Sequence, residues 1–546
     1  MRKKVTTPQL SLQIIAGSHT VLLSMNMEKH FTKNLLGFAI QRKDHSTGHL
    51  VWLKTPETFE PCKDYSTAGL TKPPAYINPI QAFLWGDYTV LPCHTYTYTV
   101  MALYGKPLDL HVEAQVYDTI TTEDPFSQKH GIFFNRGVAG SQAYARKFNN
   151  LPPQKVADRA AYKWLSRGLE EAILHFISQA QDSSYSLHVA AYEFCYPPVV
   201  QAFAQAKQRG VNVKIIYDKR REPSIYQETE KIAAQYGLTE NIIPRQQNPS
   251  YISHNKFILL LQDQNPLAVW TGSTNFTEGG IFGQSNVGHT IREKKIAHAY
   301  LHYWQRLAQD PTAQTLRHEN QKALDLENLL DEQEPTTQPI FSPLPSDKML
   351  HWYVAQAAKA KQAIFFTAAF GVNKVFADLF SQPSDVLRYI LLEKKGNTYD
   401  SFSHVANNRI ALGSSLREGT QEWLAENITG LNNHVEYIHT KYMIIDPLGE
   451  NPMVINGSAN FSYASVHNND ENMLVIYRNT RVADLFLTEF MSLFKHFYAR
   501  SKMLNILSSQ QIMQPNYLKS DDNWTLPYYN PENFYYKERN LFNATT

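Results

Sequence analysis

The sequence contains one pattern twice, as HNKFILLLQDQNPLAVWTGSTNF at residues 254–276 and as HTKYMIIDPLGENPMVINGSANF at residues 439–461. In both copies a His-x-Lys triplet precedes an apolar run, and a Gly-Ser-x-Asn-Phe segment begins eighteen positions after the histidine. A His-x-Lys triplet alone is uninformative, but several residue types at fixed offsets, present twice, are a strong signal. The repeat indicates an internal duplication.

Each apolar run is predicted to be a β-strand, and strand geometry explains the spacing. Successive side chains of a strand point to opposite faces, so His254 and Lys256 should share a face. Ser273 and Asn275 are expected to share a face of a second strand. If the two copies pack about a pseudo-two-fold axis, two histidines, two lysines and two asparagines converge on one pocket. Such a set lacks the ligands typical of a metal site but suits an anionic phosphoryl group.

Paired histidines in such a pocket can transfer a phosphoryl group. One imidazole can attack phosphorus as the nucleophile, while the other protonates the leaving oxygen on the opposite side. The lysines and asparagines would hold the equatorial oxygens, where charge is stabilised in the transition state. We therefore expect the reaction to need no metal ion and no other cofactor.

The two segments resemble the paired HKD motifs, HxKx4D followed by GSxN, of the phospholipase D superfamily, and the second segment is a full match. The resemblance covers about residues 155–505 and implies two α/β halves with an active site in the cleft between them. It also implies a phosphodiesterase that forms a covalent phosphohistidine, with water or another alcohol as the acceptor. The residues expected to form this site are catalytic His254, Lys256, Asn275, His439, Lys441, Asn460 and Glu471, and binding Ser273 and Ser458.

The first copy departs from the motif at one position, because Leu261 stands where the second copy has Asp446. Asp263 lies two residues further on and could not take over without a change of strand register. We interpret the motif aspartate as a residue that shapes the loop behind the strand. Because the histidine, lysine, serine and asparagine of the first copy all persist, we expect that half to remain functional.

A second difference concerns the groups that can orient the histidines. The second copy continues to Glu471, whereas the aligned stretch of the first copy reads Gln284-Ser285-Asn286. A carboxylate that bonds an imidazole Nδ1 fixes the tautomer and raises the basicity of the ring. In the enzymes that this sequence resembles, the acid of one half tends to orient the histidine of the other. That resemblance implies His254 as the nucleophile and His439 as the general acid.

Composition and charge exclude several classes of protein. The chain has 546 residues, of which 43% are hydrophobic and 12% aromatic, as in folded and not in disordered proteins. The 52 Lys and Arg nearly balance the 50 Asp and Glu, and a net charge of +2 argues against a general polyanion binder. The spacing of Cys62, Cys93 and Cys195 suggests neither a zinc site nor a disulfide framework, which favours a cytoplasmic location.

The sequence predicts no membrane span. No apolar run reaches the roughly 20 residues that a membrane helix requires, and the amino terminus lacks a clean signal peptide. Secretion by a non-standard route and peripheral contact with a membrane both remain compatible with this pattern.

The sequence changes from a β-rich to an α/β pattern along the chain. Alternating Tyr96, Tyr98 and Val100 predict a strand in an N-terminal β-sandwich-like domain that resembles a fibronectin type III domain. Residues 331–347 contain four prolines among acidic and polar residues, which is typical of a linker. The predicted divisions are the β-domain (1–122), a connector (123–154), the first half (155–325), a linker (326–347), the second half (348–505) and an aromatic C-terminal tail (506–546).

Two further features have alternative interpretations. Lys219-Arg220-Arg221 and Lys394-Lys395 follow corresponding predicted strands, so they could form a rim that attracts phosphate or simply solvated loops. The aromatic tail could pack over a domain, lie at a lipid interface or stack on bases.

Three functions fit this site. Phospholipase D-type hydrolysis or headgroup exchange of a phospholipid is favoured. An endonuclease acting on DNA or RNA would use the same histidines with a local basic groove. An inactive binding or scaffolding protein would keep the site only as a vestige. A basic track through the cleft would indicate the nuclease, and an apolar rim the lipid enzyme.

Overall fold

The structure is a computed structural model that describes residues 1–60, 74–126, 129–137, 141–220, 223–331, 333–416, 437–508 and 517–543. Cys62 and Arg221 lie outside the described residues. The described residues form an N-terminal β-region, two α/β halves and a C-terminal segment. The predicted fold class, two similar α/β halves after an antiparallel β-region, is confirmed.

The N-terminal region consists of two four-stranded antiparallel sheets, with strand orders β1-β2-β3-β6 and β5-β4-β7-β8. Tyr96, Tyr98 and Val100 alternate with more exposed residues along β7 and are buried in the core between the sheets. This period-2 burial is the reason that the segment forms a strand. The elements are β1 (Arg2–Thr6), β2 (Ser11–Ala16), β3 (Val21–Asn26), β4 (Leu35–Asp44), β5 (Leu50–Trp52), α1 (Pro74–Ile77), β6 (Leu84–Asp87), β7 (Thr95–Lys106) and β8 (Asp109–Thr121).

The first half is a seven-stranded mixed sheet with helices on both faces. Its central helix α5 begins with Pro197 and Pro198, which suit the first turn because their missing N–H groups have no partner there in any case. The elements are β9 (His130–Phe134), α2 (Ser141–Phe148), α3 (Ala160–Ser166), α4 (Leu169–Ser178), β10 (Tyr185–Ala191), α5 (Pro197–Gln208), β11 (Asn212–Asp218), α6 (Pro223–Gln235), β12 (Ile242–Arg245), β13 (Lys256–Gln262), β14 (Asn265–Gly272), β15 (Val287–Ile291), α7 (Lys294–Leu307) and α8 (Ala313–Ala323).

The second half repeats this design. Asn373 caps the N-terminus of α10 by accepting a hydrogen bond from the Val375 amide, so the helix begins directly after it. The elements are β16 (Thr336–Ser342), α9 (Lys348–Ala358), β17 (Ala363–Ala368), α10 (Lys374–Ser381), β18 (Leu387–Leu392), α11 (Tyr399–Ser403), β19 (Asn408–Leu412), β20 (Tyr442–Ile445), β21 (Met453–Gly457), α12 (Tyr463–His467), β22 (Glu471–Tyr477) and α13 (Thr480–Ser508).

The two sheets match strand for strand. Their orders are β12-β11-β10-β13-β14-β15-β9 and β19-β18-β17-β20-β21-β22-β16. Residues from the facing sides of both sheets, together with α7 and α13, form one continuous apolar core between the halves. Because the halves share a core, they are held in a fixed relation, and loops at equivalent sheet ends can meet.

The edge strands β9 and β16 correct two of the predicted divisions. β9 lies within the predicted connector and β16 within the predicted linker, and each completes the sheet of the half that follows it. Pro339, one of the prolines that suggested a linker, pairs with Leu474 in β16. Proline is tolerated there because β16 is an edge strand, where one side of the backbone needs no partner within the sheet.

The C-terminal segment packs onto the N-terminal β-region. It consists of a 3-10 helix (Asp522–Tyr529) and α14 (Phe534–Asn543). Trp524 is buried in the β-region core, and its indole Nε1 donates a 2.8 Å hydrogen bond to the Leu35 carbonyl. The aromatic residues of the tail that this packing buries therefore fill a protein core. Among the described helices, none is both long enough and apolar enough to cross a bilayer.

Candidate active site

Two short backbone bridges between the halves place the histidines. In one, Ser253 pairs with Asp470, and the His254 amide donates to the Asp470 carbonyl at 2.9 Å. In the other, Ser285 pairs with Ile438, and the Ser285 amide donates to the Tyr437 carbonyl at 2.8 Å. Each bridge brings the histidine of one half beside a loop of the other half. That loop follows the Gly-Ser-x-Asn segment of the half to which it belongs.

Each histidine is bonded through Nδ1 to a residue of the opposite half. His254 Nδ1 lies 2.9 and 3.0 Å from the two carboxylate oxygens of Glu471. His439 Nδ1 lies 2.9 Å from the amide oxygen of Asn286. These oxygens are hydrogen-bond acceptors, so they favour the tautomer with the proton on Nδ1 and leave Nε2 for chemistry.

The serines of the two Gly-Ser-x-Asn segments support these orienting residues. Ser458 Oγ donates to Glu471 at 2.6 Å, and Ser273 Oγ donates to the Asn286 amide oxygen at 2.8 Å. Each hydroxyl also accepts a backbone N–H, from Asn472 at 3.0 Å and from Val287 at 3.1 Å. Both hydroxyls are thus engaged inside the protein.

The Ser-x-Asn residues lie beyond the strands, so their predicted placement on a second strand is wrong. β14 ends at Gly272 and β21 ends at Gly457. Gly272 has φ +131°, and a Cβ at this position would lie 2.3 Å from the Val287 carbonyl oxygen. Only glycine fits such a close approach with this backbone conformation, and it turns the chain from the strand into the site.

The two lysines of the site are both buried, and they are close enough for the charge of Lys256 to lower the pKa of Lys441. Lys256 Nζ donates to the His254 carbonyl at 2.6 Å, and Lys441 Nζ donates to the His439 carbonyl at 2.7 Å. Burial lowers the pKa of Lys256 to about 8, although the carboxylates of Glu471, Glu193 and Asp218 oppose this shift. Burial and the charge of Lys256 hold the pKa of Lys441 well below its usual value. The lysines form a concentrated positive centre that an anion would stabilise.

The two asparagines differ in their neighbours. The Asn275 side-chain amide donates to the carboxylate of Glu193. At the equivalent place in the second half, two residues after the end of β17, stands Phe370, whose exposed fraction is 58%. The side-chain oxygens of Asn275 and Asn460 are buried and have no hydrogen-bond partner among the described residues.

Burial keeps both imidazoles neutral near pH 7. It lowers the pKa of His254 to about 4, against the opposing effect of Glu471. Burial, with the charges of Lys441 and Lys256, holds the pKa of His439 well below its usual value. Burial alone would raise the pKa of Glu471, but His254, Lys256 and the Ser458 hydrogen bond keep it below its usual value. Glu471 is therefore ionised at neutral pH.

The residue set that the sequence predicted comes together at this site, and the structure adds groups that sequence reasoning missed. Asn286 is one of them: it stands fourteen positions after Gly272, as Glu471 does after Gly457, and this equal offset could have revealed it. The others are two carboxylates that bond the backbone just before each histidine. Asp218 accepts a hydrogen bond from the Ser253 amide at 2.8 Å, and Glu393 accepts one from the Ile438 amide at 2.7 Å. Asp218 and Glu393 come from equivalent strand ends in distant sequence, so no local signal marks them.

Of the basic cluster after β11, the two described residues, Lys219 and Arg220, are both engaged in ion pairs. Arg220 is buried, and its Nη2 donates to the Asp470 carboxylate at 2.7 Å. Lys219 Nζ pairs with Glu230 at 2.5 Å. Lys394 and Lys395 are exposed, with Lys395 Nζ 5.4 Å from the ring centroid of Tyr399.

Asp446 lies at the far end of its strand from His439. Its carboxylate accepts the backbone N–H groups of Lys361, Gln362 and Ala363 at 2.7 to 2.9 Å. The motif aspartate thus organises the loop before β17, in agreement with the interpretation from sequence. In the first half β13 continues through Leu261, and the turn is made by Asp263 and Gln264 at φ +47° and +65°.

Within the described ranges, no three His, Cys, Asp or Glu side chains are grouped to hold a metal ion. Glu471, the carboxylate that bonds a histidine here, uses its oxygens for His254 and Ser458.

Comparisons with known proteins agree with the geometry. The family model described as "Cardiolipin synthase, PLD-like domain" matches residues 173–308 and 382–494, which lie in the two halves. A search of curated proteins gave no match. The two α/β halves belong to the phospholipase D superfamily.

Several solved structures are similar to parts of this chain. Phosphatidylserine synthase of Haemophilus influenzae Rd KW20 is 10% identical, with 63% of this chain and 92% of that chain covered and a TM-score of 0.42. Polyphosphate kinase of Porphyromonas gingivalis is 12% identical, with 57% and 46% covered and a TM-score of 0.37. Nuc of Salmonella typhimurium, a phospholipase D family member, is 30% identical, with 26% and 87% covered and a TM-score of 0.22. The chain thus spans less than half of the polyphosphate kinase.

Proposed function

We propose that this protein is a phosphodiesterase that uses two histidines and no metal ion, and that it forms a covalent phosphohistidine. The observation that carries the proposal is the crossed pair of histidines, each held through Nδ1 by a residue of the opposite half. With Nδ1 held, Nε2 is the ring nitrogen available for bonding to phosphorus or for proton transfer.

In the first step, His254 Nε2 attacks the phosphorus of the diester. The new bond joins Nε2 to phosphorus, and the bond between phosphorus and the leaving oxygen breaks. Protonated His439 gives its Nε2 proton to that oxygen, which departs as an alcohol. Glu471 stabilises the positive charge that His254 acquires, because its carboxylate bonds Nδ1. Binding of the anionic phosphate favours the protonated form of His439, which the free enzyme holds as a neutral ring.

In the second step, water or another alcohol attacks the phosphohistidine. His439, now neutral, takes the proton of the attacking oxygen as a general base. The new oxygen–phosphorus bond forms, the nitrogen–phosphorus bond breaks, and His254 returns to its neutral state. Hydrolysis and headgroup exchange differ only in the acceptor.

Lys256, Lys441, Asn275 and Asn460 bind the non-bridging oxygens in this proposal. The lysines supply positive charge in a buried site, where electrostatic stabilisation is stronger than in water. Ser273 and Ser458, predicted as binding residues, act instead as positioning residues, because their hydroxyls already bond Asn286 and Glu471.

We propose a phospholipid as the substrate. Phe370 and Tyr463, 58% and 49% exposed, stand two residues after the end of β17 and three residues after Asn460, and we infer that they border the site as an apolar rim. Arg220 and Arg245, which could have formed a basic track, are buried against Asp470. An apolar rim suits peripheral contact with a membrane, whereas a nucleic-acid backbone requires exposed positive charge along its path.

The test compares wild type with His254→Ala on phospholipid mixed micelles, on single- and double-stranded DNA and on RNA, each with and without EDTA. We expect headgroup release by wild type, unchanged by EDTA and lost in His254→Ala. His298→Ala, which alters an exposed histidine away from the site, is the matched control and should behave as wild type.

Three results would contradict parts of the proposal. Loss of turnover in EDTA would exclude the metal-free reaction. Equal activity of His254→Ala would exclude the site. Cleavage of nucleic acid without headgroup release would assign the same chemistry to an endonuclease.

A further inference from the structure

A buried ionic network lies directly behind the bond between His254 and Glu471. The carboxylate of Asp470 accepts hydrogen bonds from Arg220 Nη2 at 2.7 Å and from Arg245 Nε at 3.0 Å. The side chains of all three residues are only 1% exposed. Arg245 Nη1 extends the network to Asp310 at 2.5 Å.

The backbone of Asp470 connects this network to the nucleophile. Its amide donates to the Ile252 carbonyl at 3.0 Å, and its carbonyl accepts the His254 amide at 2.9 Å. The next residue, Glu471, bonds the ring of the same histidine. Asp470 therefore positions both His254, through a backbone hydrogen bond, and Glu471, its neighbour in the chain. The hydrogen bond to His254 crosses the boundary between the halves.

The other histidine has the same backbone frame without the ionic network. Ser285 occupies the position equivalent to Asp470 and makes the equivalent backbone bridge, to Tyr437. Its side chain is a neutral hydroxyl, with no hydrogen-bond partner among the described residues. The position equivalent to Arg220, two residues after the acid that holds the bridge, is the exposed Lys395. Among the described residues, this ionic network is thus present behind His254 and has no counterpart behind His439.

Stability does not explain this placement. Removing charges from water costs free energy that their mutual attraction often fails to recover, so a buried ion network is weak support for a fold. The ion network does, however, hold Asp470, Arg220 and Arg245 in one geometry. The nucleophile needs this most, because it must approach phosphorus in line and at short range, whereas proton transfer is less demanding.

We propose that Asp470, held by Arg220 and Arg245, is a positioning residue that sets His254 for attack on phosphorus. The inference rests on the proposed phosphohistidine mechanism. In that mechanism the network acts on the step in which the nitrogen–phosphorus bond forms and the leaving oxygen departs with the proton from His439.

The experiment uses Asp470→Asn, which keeps the shape of the side chain and removes its charge. The probe is bis(4-nitrophenyl) phosphate, whose first nitrophenolate is released when the phosphoenzyme forms. We expect the burst of nitrophenolate to slow by about 10- to 100-fold, the size expected for a misplacement of about 1 Å. Decay of the phosphoenzyme should change less than the burst.

Two controls separate positioning from loss of stability. Asp484→Asn removes another buried carboxylate that pairs with an arginine, Arg2 at 2.7 Å, far from the site. Ser285→Ala alters the equivalent position behind His439. We expect both variants to keep the wild-type burst. A burst of Asp470→Asn as fast as that of the controls, or equal slowing in all three, would overturn the proposal.

A spectroscopic measurement tests the proposal independently of turnover. In protein labelled with ¹⁵N-histidine, Asp470→Asn should shift the Nδ1–H resonance of His254 and leave that of His439 in place. Unchanged resonances for both histidines would overturn the proposal. If Asp470→Asn does not fold, Arg220→Gln, which leaves Arg245 on the carboxylate, should produce the same changes at smaller size.

The result also distinguishes this inference from the proposed function. A wild-type protein without a burst, equal in all respects to His254→Ala, would contradict the phosphohistidine mechanism. If wild type shows the burst and Asp470→Asn shows an equally fast one, only the positioning role of Asp470 would be contradicted.

Discussion

His254 and His439 have similar neighbours in sequence but different partners in space. His254 bonds the charged carboxylate of Glu471, and His439 bonds the neutral amide oxygen of Asn286. Both partners stand at the same offset after the site glycine, and both are supported by a serine hydroxyl. The pseudo-symmetric frame thus presents two matched rings, and the difference lies in the charge beside them.

This difference teaches how a duplicated fold can give two copies of one residue separate tasks. A carboxylate stabilises an imidazole that becomes positively charged by bonding phosphorus. An amide oxygen holds the ring through Nδ1–H without stabilising a positive charge on it, so Nε2 can give and take a proton. The roles proposed for the two histidines follow from this contrast.

The largest effects should come from removing each imidazole ring in turn, which tests the different roles of the two histidines. His254→Ala should reduce phosphoenzyme formation by at least about 10⁴-fold, because it removes the proposed nucleophile. His439→Ala should still accumulate phosphoenzyme from bis(4-nitrophenyl) phosphate, since nitrophenolate leaves without a proton. Acid-quenched samples separated on gels and probed for phosphohistidine measure both. Trapping by His254→Ala and not by His439→Ala would reverse the roles.

A smaller effect is expected from the partners of the rings. Glu471→Gln keeps a hydrogen-bonding group and should slow phosphoenzyme formation by about 10- to 100-fold, because the new positive charge loses its counter-ion. Asn286→Ala should change this step by less than about threefold with a nitrophenyl leaving group, which needs no acid. Burst kinetics compare the two variants directly. Equal losses would show that the charge difference between the halves has no bearing on the first step.

The dependence on pH should follow the same pair of groups. Attack requires neutral His254, whose pKa is about 4, so kcat/KM should fall as the pH decreases through about 4. Anion binding requires charged Lys256, whose pKa is about 8, so kcat/KM should fall as the pH rises through about 8. Initial rates with the nitrophenyl diester measure both limbs. A profile that stays flat from about pH 7 to pH 10 would contradict the role of Lys256.

The smallest effect on activity is expected at the motif aspartate. Asp446→Ala should leave turnover of folded protein within about threefold of wild type, because the carboxylate lies at the far end of the strand. It should lower the free energy of unfolding by about 2 kcal/mol, since three backbone N–H groups lose their acceptor. Urea titration measures the loss. Leu261→Asp is the matched change in the first half, and a gain in activity there would contradict the structural role.

Local sequence signals predicted the elements that depend on local periodicity. The strand expected at Tyr96, Tyr98 and Val100 is β7, and the strands expected after the two His-x-Lys triplets are β13 and β20. The paired motifs also identified the residues that the structure brings together around the two histidines. These signals suffice because a strand or helix is specified by its own run of residues and the motif spacing is fixed by one hairpin.

The remaining features depend on partners that are distant in sequence. The composition of residues 331–347 did not reveal β16. Its prolines are typical of a linker, but an edge strand also tolerates proline. Gly272 ends its strand because a carbonyl of another strand approaches it, which no local pattern announces. The cluster Lys219-Arg220-Arg221 suggested a phosphate rim or solvated loops, and only the packing of the two halves shows that Arg220 bonds Asp470.

The packing of residues 517–543 on the N-terminal β-region has a consequence for folding during synthesis. Trp524, which fills the core of the N-terminal β-region, is 489 positions from Leu35, the residue whose carbonyl it bonds. Translation produces the β-region before residues 517–543, so the core of the β-region cannot be completed until those residues have left the ribosome. The closing contacts are among the longest-range in the chain, so this step should be slow. A nascent chain that stops after α13 would carry an unfinished β-region, and its second half would lack the hydrogen bond from Tyr389 to Glu538 of α14.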